Sequence, residues 1–368
     1  MEKAKISAGE FFSIIVLFNF GTALVVSLGL QAKKDAWLAI FLGAAGGIIL
    51  FFIYRSLFRI YPQQPLISYI QTILGKYIGW PLSLLYVLFF IYGAARDVRD
   101  GGEILTSAIL DQTPLLIINL SIIITIAYVL YKGIEVLVRT AQIYLVLVIC
   151  LGLISNLLLM YSGVIDINNL LPILRDGWKP VFTTFYSQTL SFLFGEMICF
   201  AMLFPLLQSD KQGVKMGFWA VVFSGLTLSY TIALDIAVLG SDIAGRSSFP
   251  LLTIISKINI GEFIQHLDLI VILTLIICNF FKIAVFYYAA VMGATALFNL
   301  QDYRKMVAPI GIIILYSSSM IAFDFSGHLE EGNFSLKTIF PLFGEIIPAF
   351  LLLIAVIRKK FSQRLRDI

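Results

Sequence analysis

The sequence has little of what soluble enzymes use. It holds three cysteines, two histidines and only 13% charged residues in 368, whereas soluble domains carry about 25% charge. Cys150, Cys199 and Cys278 fall inside apolar runs with no CxxC spacing. That excludes a disulfide framework and a thiolate metal centre, and leaves them as small hydrophobes. His266 and His328 are isolated in sequence and are expected at a membrane surface. There is no Ser-His-Asp set, zinc-ligand spacing, GxGxxG or phosphate loop, so nothing supports an enzyme, a metal or a cofactor. The net charge of +4 is small, and no nucleic-acid partner follows from it.

What is abundant is apolar sequence, at 60% of the chain. Repeated runs of about 20 residues match a bilayer's thickness. They are continuous rather than alternating, which excludes a β-barrel. The chain reads as an all-α polytopic membrane protein, a single integral membrane domain over 1–368 with about ten crossings. The first begins at Ser7-Ala-Gly-Glu10, which has capping-box spacing, and runs to about Leu30. It is too long for a signal-peptide core and lacks a cleavage site. The others fall near 36–58, 78–103, 114–131, 134–161, 181–207, 216–240, 267–298, 307–323 and 338–357. Gly43, Ala44, Ala45, Gly46 and Gly47 suit tight packing of the second. An amphipathic connector occupies 61–76, and a basic tail 358–368. Of the 26 Lys and Arg, sixteen lie on the side of the termini, nine on the other, and Lys282 within the membrane. Both termini are therefore expected in the cytoplasm.

The sixth crossing, Val181 to Leu207, organises the chain. Its middle carries Ser187, Gln188, Ser191, Gly195 and Glu196. At ~1.5 Å rise per residue, Glu196 lies about 24 Å from Pro180, deep in the membrane. A carboxylate there costs at least ~2.5 kcal/mol unless paired or wetted. A polar, Gly-interrupted span points to a transport or binding site; the alternative is an interior Glu satisfied by a neighbour, with Gly195 serving close packing. The first crossing breaks similarly at Asn19 and Gly21. Five helices separate the two breaks, so they cross in opposite directions, as an inverted five-plus-five repeat would place them (repeat one about 7–161, repeat two about 180–357). Unwound half-helix ends suit a zwitterion, with N-termini for its carboxylate and C-terminal carbonyls for its ammonium.

Lys282 lies about 22 Å along the eighth crossing from Leu267, matching the depth of Glu196. An ion pair between them is expected, since either charge alone is costly there. It would serve as a static strut or in proton coupling. In the third crossing, Arg96 with Asp100 and Asp97 with Arg99 can compensate each other locally, since i,i+4 partners share a face; they read as the outer-half polar wall of a cavity or, alternatively, as a structural network. Asp235 and Glu345 lie nearer helix ends and are expected at solvated interfaces.

Several words carry a family resemblance: Phe20-Gly-Thr-Ala-Leu24, Asp35-Ala-Trp-Leu38, Arg96-Asp-Val-Arg-Asp-Gly-Gly-Glu103, Asp166-Ile-Asn-Asn-Leu-Leu-Pro-Ile-Leu174, Gly177-Trp178, and Phe194-Gly-Glu196 followed by Pro205. In them the chain resembles the endospore germination permeases. These are the membrane-embedded B subunits of GerA-type germinant receptors, within the amino acid–polyamine–organocation transporter superfamily. The resemblance implies a LeuT-like fold with broken helices 1 and 6 and residence in the spore inner membrane. It also implies partnership with an A-type subunit and a lipoprotein C-type subunit. The function implied is sensing of a small nutrient germinant, read here as an amino acid. The superfamily's ligand position, carried onto this chain, falls on Phe20, Gly21, Thr22, Gly93, Asp97, Ser191, Phe194, Gly195, Glu196, Lys282 and Phe286. One departure is that some proton-coupled relatives bury a Lys in helix 5, and 143–159 here has none. A proton-coupled amino acid symporter and a ligand-gated channel subunit are the alternative functions.

Overall fold

The computed structural model describes residues 4–24, 28–247, 249–256, 268–322 and 324–364. His266, Lys257 and the last four residues of the basic tail lie outside the described residues, and so do the side chains from Phe361 onward. The described chain is helical throughout, apart from turns and one isolated backbone bridge between Ile6 and Leu207. Seven helical stretches among the described residues are long and apolar enough to cross a membrane. In hydrocarbon every backbone N–H and C=O must be satisfied within the protein, and helices do this segment by segment.

The first crossing is α1 (Ala8–Phe20). Its start is the expected capping box: Ser7 N–H donates to Glu10 Oε2 at 2.7 Å, and Glu10 N–H to Ser7 Oγ at 3.3 Å. The helix does not continue to Leu30. It stops at Gly21, and a 3₁₀ turn follows over Thr22–Leu24. Next come α2 (Ala36–Ile60), α3 (Leu66–Ala108), α4 (Leu115–Lys132) and α5 (Ile134–Ser162). The connector expected over 61–76 supplies the first segment of α3. That segment turns at Gly75, where φ is +78°, and folds back so that Ser83 Oγ donates to the Ile67 carbonyl at 3.1 Å.

The sixth crossing begins as α6 (Trp178–Thr184), widens to π-helical winding over Phe185–Phe194, and tightens to 3₁₀ over Gly195–Met202. The change of winding falls at Gly195, where the sequence places its break. α7 (Asp210–Leu239) follows, then the short α8 (Ser241–Arg246) and α9 (Pro250–Ser256), then α10 (Asp268–Leu297) and α11 (Arg304–Met320). An additional amphipathic helix, α12 (Phe325–Lys337), precedes the last crossing. That crossing runs through α13 (Ile339–Pro341), a π-wound segment Leu342–Ile346 and α14 (Ile347–Arg364).

The small residues of α2 do seat the sixth crossing. A Cβ at Gly43 would lie 2.8 Å from Thr189 Oγ1, and Phe194 packs directly on Gly47. Between the breaks and the termini, rings fill the bundle. Phe18 and Phe11 meet Phe200 at 5.1 and 5.8 Å between centroids, and Phe11 and Phe51 meet Phe204 at 6.0 and 6.1 Å. This half of the bundle is closed by aromatic packing. The start of α1 is also tied to the end of the sixth crossing: Ile6 N–H donates to the Leu206 carbonyl at 2.8 Å, and Gln208 N–H to the Ile6 carbonyl at 3.0 Å.

One tyrosine joins three crossings. The buried Tyr54 hydroxyl lies 3.2 Å from the Gly195 carbonyl and 2.5 Å from the Gly344 carbonyl. Tyr54→Phe therefore leaves buried carbonyls short of a donor, and is expected to cost about 1–3 kcal/mol as a lower unfolding midpoint in detergent. Tyr69 is equally buried, but its hydroxyl has no partner among the described residues. Tyr69→Phe should leave the midpoint unchanged or raise it. Equal losses in both variants would sink the role given to Tyr54.

Candidate functional site

The fold brings three charges to one point beside the break in the first crossing. Lys282 of α10 lies with its Nζ 2.6 Å from Glu196 Oε2 and 3.7 Å from Asp97 Oδ1 of α3. The expected Glu196–Lys282 pair is formed, and Asp97 joins it. All three side chains are at most 4% exposed. Phe192 and Phe18 offer ring faces to the ammonium, at 4.4 and 5.6 Å from Nζ to centroid, which is cation–π range. With both carboxylates ionised the cluster carries one negative charge in excess. Asp97 Oδ2 has no hydrogen-bond partner among the described residues. An unpaired acceptor at this depth costs on the order of kilocalories, so the cluster is set to receive a further donor.

Gly21 allows this arrangement. A Cβ there would lie 2.6 Å from Lys282 Cδ and 2.8 Å from Lys282 Cβ, so the break admits the lysine stem only because the residue is glycine. Asn19 ties the same turn to α7, donating from Nδ2 to Ser224 Oγ at 2.8 Å. Asn279, one turn before Lys282 on α10, donates to the Asp97 carbonyl at 2.8 Å.

The other residues implied by the resemblance divide. Gly93 and Phe286 pack on each other, a Cβ at Gly93 falling 3.0 Å from the ring, and Phe286 also meets Phe18 at 5.3 Å. Ser191 turns to the last crossing and donates to Glu345 at 2.5 Å. Phe194 packs on α2, and Gly195 on Gly344. Phe20 faces Phe223 of α7 at 6.4 Å. Thr22 belongs to the 3₁₀ turn, with its side chain outside the described residues.

Three expectations are corrected. The α3 pairs Arg96–Asp100 and Asp97–Arg99 do not form as ion pairs: Arg96 pairs with Glu331 of α12, and Arg99 Nε pairs instead with Glu103 Oε1, one turn on in α3, at 2.9 Å. Helical rotation turns Arg96 outward to α12 and Asp97 inward to Lys282. His328 is fully buried rather than at a surface, with Nε2 2.8 Å from Asp100 Oδ1. Asp235 is buried at 2% exposure, and Glu345 is half-buried as the acceptor for Ser191. Asp235 therefore does not occupy a solvated interface, whereas Glu345 keeps partial exposure.

The residues that sequence reasoning missed come mainly from α12. His328, Glu331 and Ser335 recur at i, i+3 and i+7, which puts them on one helical face. That polar stripe was the available signal. Glu331 also accepts from Tyr92, and from Ser335 at 2.6 Å. These contacts hold α12 against α3, over a cavity of about 380 Å³ lined by Arg96, Asp100, Gln188, Phe192, Arg246 and Asn333 among others. Phe192 lines this cavity and also faces Lys282, so its ring borders both the cavity and the charge cluster.

Comparison with known proteins converges. A family model described as "Spore germination protein" matches residues 5–326. The chain is 40% identical over 365 residues to Spore germination protein KB of Bacillus subtilis (strain 168), covering 99% of this chain and 98% of that protein. It is 26% identical to Spore germination protein A2 of the same organism, covering 85% and 86%. Among solved structures it resembles Mhp1, a nucleobase-cation-symport-1 family transporter in a closed conformation with bromovinylhydantoin bound. The TM-score is 0.73 at 12% identity, covering 91% of this chain and 75% of that one. It also resembles MhsT in complex with L-phenylalanine, with TM-score 0.68 at 16% identity, covering 94% and 89%. The fold is thus that of the LeuT-type transporters, with helices 1 and 6 broken, in an integral membrane protein.

The charge cluster makes a stability prediction. Lys282→Met strands two buried carboxylates, and breaking such a pair costs about 3–5 kcal/mol. The variant should show a sharply lower unfolding midpoint. Adding Asp97→Asn and Glu196→Gln should restore most of the loss, since the neutral triple variant has no uncompensated charge. A triple variant no more stable than Lys282→Met would refute the pairing energetics.

Proposed function

Because this chain belongs to the spore germination protein family, we propose that it is a germinant receptor subunit with a transporter's architecture. On this reading it binds a small nutrient, an amino acid, between the broken centres of helices 1 and 6. It resides in the spore inner membrane with both termini in the cytoplasm, and signals to A-type and lipoprotein C-type subunits. The observation that carries the reading is the cluster of Asp97, Glu196 and Lys282 at the Gly21 break. Its excess carboxylate and Asp97 Oδ2, which has no hydrogen-bond partner among the described residues, suit a ligand ammonium, and Lys282 suits a ligand carboxylate. A zwitterion entering here exchanges one ion pair for two. It shifts the bundle between states only in so far as it binds one state more tightly.

Proton-coupled amino acid symport is the second reading, favoured by the same excess carboxylate, which can carry a proton across. Proteoliposome uptake under a pH gradient separates the two: accumulation above the equilibrium level supports transport, and binding without accumulation supports sensing.

The test of the site is a thermal-shift screen of the purified protein against amino acids, sugars and nucleosides. Bound ligand raises the midpoint through RT ln(1 + [L]/Kd). An amino acid is expected to raise it in the wild type and not in Glu196→Gln. A ligand effect that persists in Glu196→Gln would move the site elsewhere. Gly21→Ala is expected to abolish the germination response while the protein still inserts, because the added Cβ displaces the Lys282 stem. An unchanged response would show that the stem's position does not matter.

A further inference from the structure

A groove on the outside of the bundle has no part in the reading above. It lies where α4 ends and α11 begins, on the side of the termini. Tyr303 Oη, at the head of α11, donates to the Leu130 carbonyl at 3.3 Å, which holds the two helix ends side by side. Between them is a cavity of about 490 Å³, within the range of about 300–1,000 Å³ usual for ligand sites. Its apolar lining is Ala127, Val307 and Ala308, and its polar lining Tyr128, Tyr131, Lys132 and Arg304.

Both cations are already positioned. Lys132 Nζ lies 5.3 Å from the centroid of the Tyr128 ring, and Arg304 Cζ 5.7 Å from that of Tyr131. A ring face orients a cation without neutralising it. Neither cation has an ion-pair partner among the described residues. The neighbouring carboxylate, Asp302, accepts from the Arg304 backbone N–H at 3.0 Å and does not line the cavity. The groove therefore presents two positive charges, and Arg and Lys with this freedom suit a phosphate.

Depth selects the form in which that phosphate arrives. Lys132 ends one of the helices long and apolar enough to cross a membrane, so the two cations stand at headgroup level. One turn deeper, Ile124 on the face of Tyr128 and Ile312 on the face of Ala308 are exposed. They offer an apolar path for an acyl chain. An interfacial aromatic belt alone gives exposed tyrosines, but not a cavity flanked by two cations. Basic pockets between crossings are suited to acidic lipid headgroups. We infer that this groove binds one anionic glycerophospholipid, its phosphodiester between Lys132 and Arg304 and its acyl chain along Ile124 and Ile312. A zwitterionic headgroup would bring a third cation and is disfavoured. The site ties α4 to α11 from outside, away from the Asp97–Glu196–Lys282 cluster, and does not rest on the germinant reading.

The experiment is native mass spectrometry of the full-length protein, delipidated in detergent and titrated with dioleoylphosphatidylglycerol or dioleoylphosphatidylcholine. The wild type is expected to retain one phosphatidylglycerol at concentrations where phosphatidylcholine is not retained. Lys132→Gln with Arg304→Gln should need a several-fold higher concentration. Lys359→Gln with Lys360→Gln, which removes the same charge from exposed positions of α14, should bind as the wild type does. Equal retention of the two lipids by the wild type overturns the proposal, whether or not the variants fold. So does an equal loss in both double variants, which would mean diffuse attraction to a basic face. Displacement of the lipid by soluble glycerophosphoglycerol would make this a site for free phosphate, and a dimer lost in Lys132→Gln with Arg304→Gln but kept with phosphatidylglycerol would assign the groove to a second copy; either result overturns it too.

Discussion

The structure depends on satisfying three charges at a depth where water cannot. Asp97, Glu196 and Lys282 come from three different helices and meet within 3.7 Å. Each would be costly alone, so α3, the sixth crossing and α10 must keep their register. Other features follow from that demand. Gly21 has no side chain because the lysine stem occupies that space. Gly93 lets Phe286 pack close on α3, and Asn279 fixes the backbone of Asp97. The aromatic rings that flank Lys282 exclude water while offering their negative faces to its charge.

The two halves of the bundle differ in how they are closed. On the side of the termini, phenylalanines from α1, α2 and the sixth crossing pack directly on one another. On the other side, closure is polar: Arg96, Asp100 and Tyr92 of α3 are bound to Glu331 and His328 of α12. The cavity lies under this polar contact. Apolar closure is insensitive to charged neighbours, whereas an ion-paired closure can be exchanged for another ion pair. The contact under α12 is therefore the one that other charged or polar groups can compete for.

Depth was legible in the sequence and azimuth was not. A bilayer imposes a length on every crossing, so the spans fall where the apolar runs fall. The rise per residue gives depth, and matched depths were enough to pair Glu196 with Lys282. Rotation about each helix axis comes from packing, which one sequence does not specify. Hence Arg96 and Asp97, adjacent in sequence, serve different partners. Hence also Ser191, Phe194 and Gly195 turn toward α2 and the last crossing while Glu196 alone among them reaches Lys282. The short α12 was hidden because its polar face resembles a loop in composition. Only its repeat at i, i+3 and i+7 marks a helix. Asp235 shows the limit of reading burial from distance to a helix end, since a neighbouring element can cover it.

The backbone pairing of Ile6 with Leu206 and Gln208 has a mechanical meaning. It gives the halves of the two broken helices on the side of the termini a common end. A displacement of one half about its glycine must break these two hydrogen bonds or carry the other half with it.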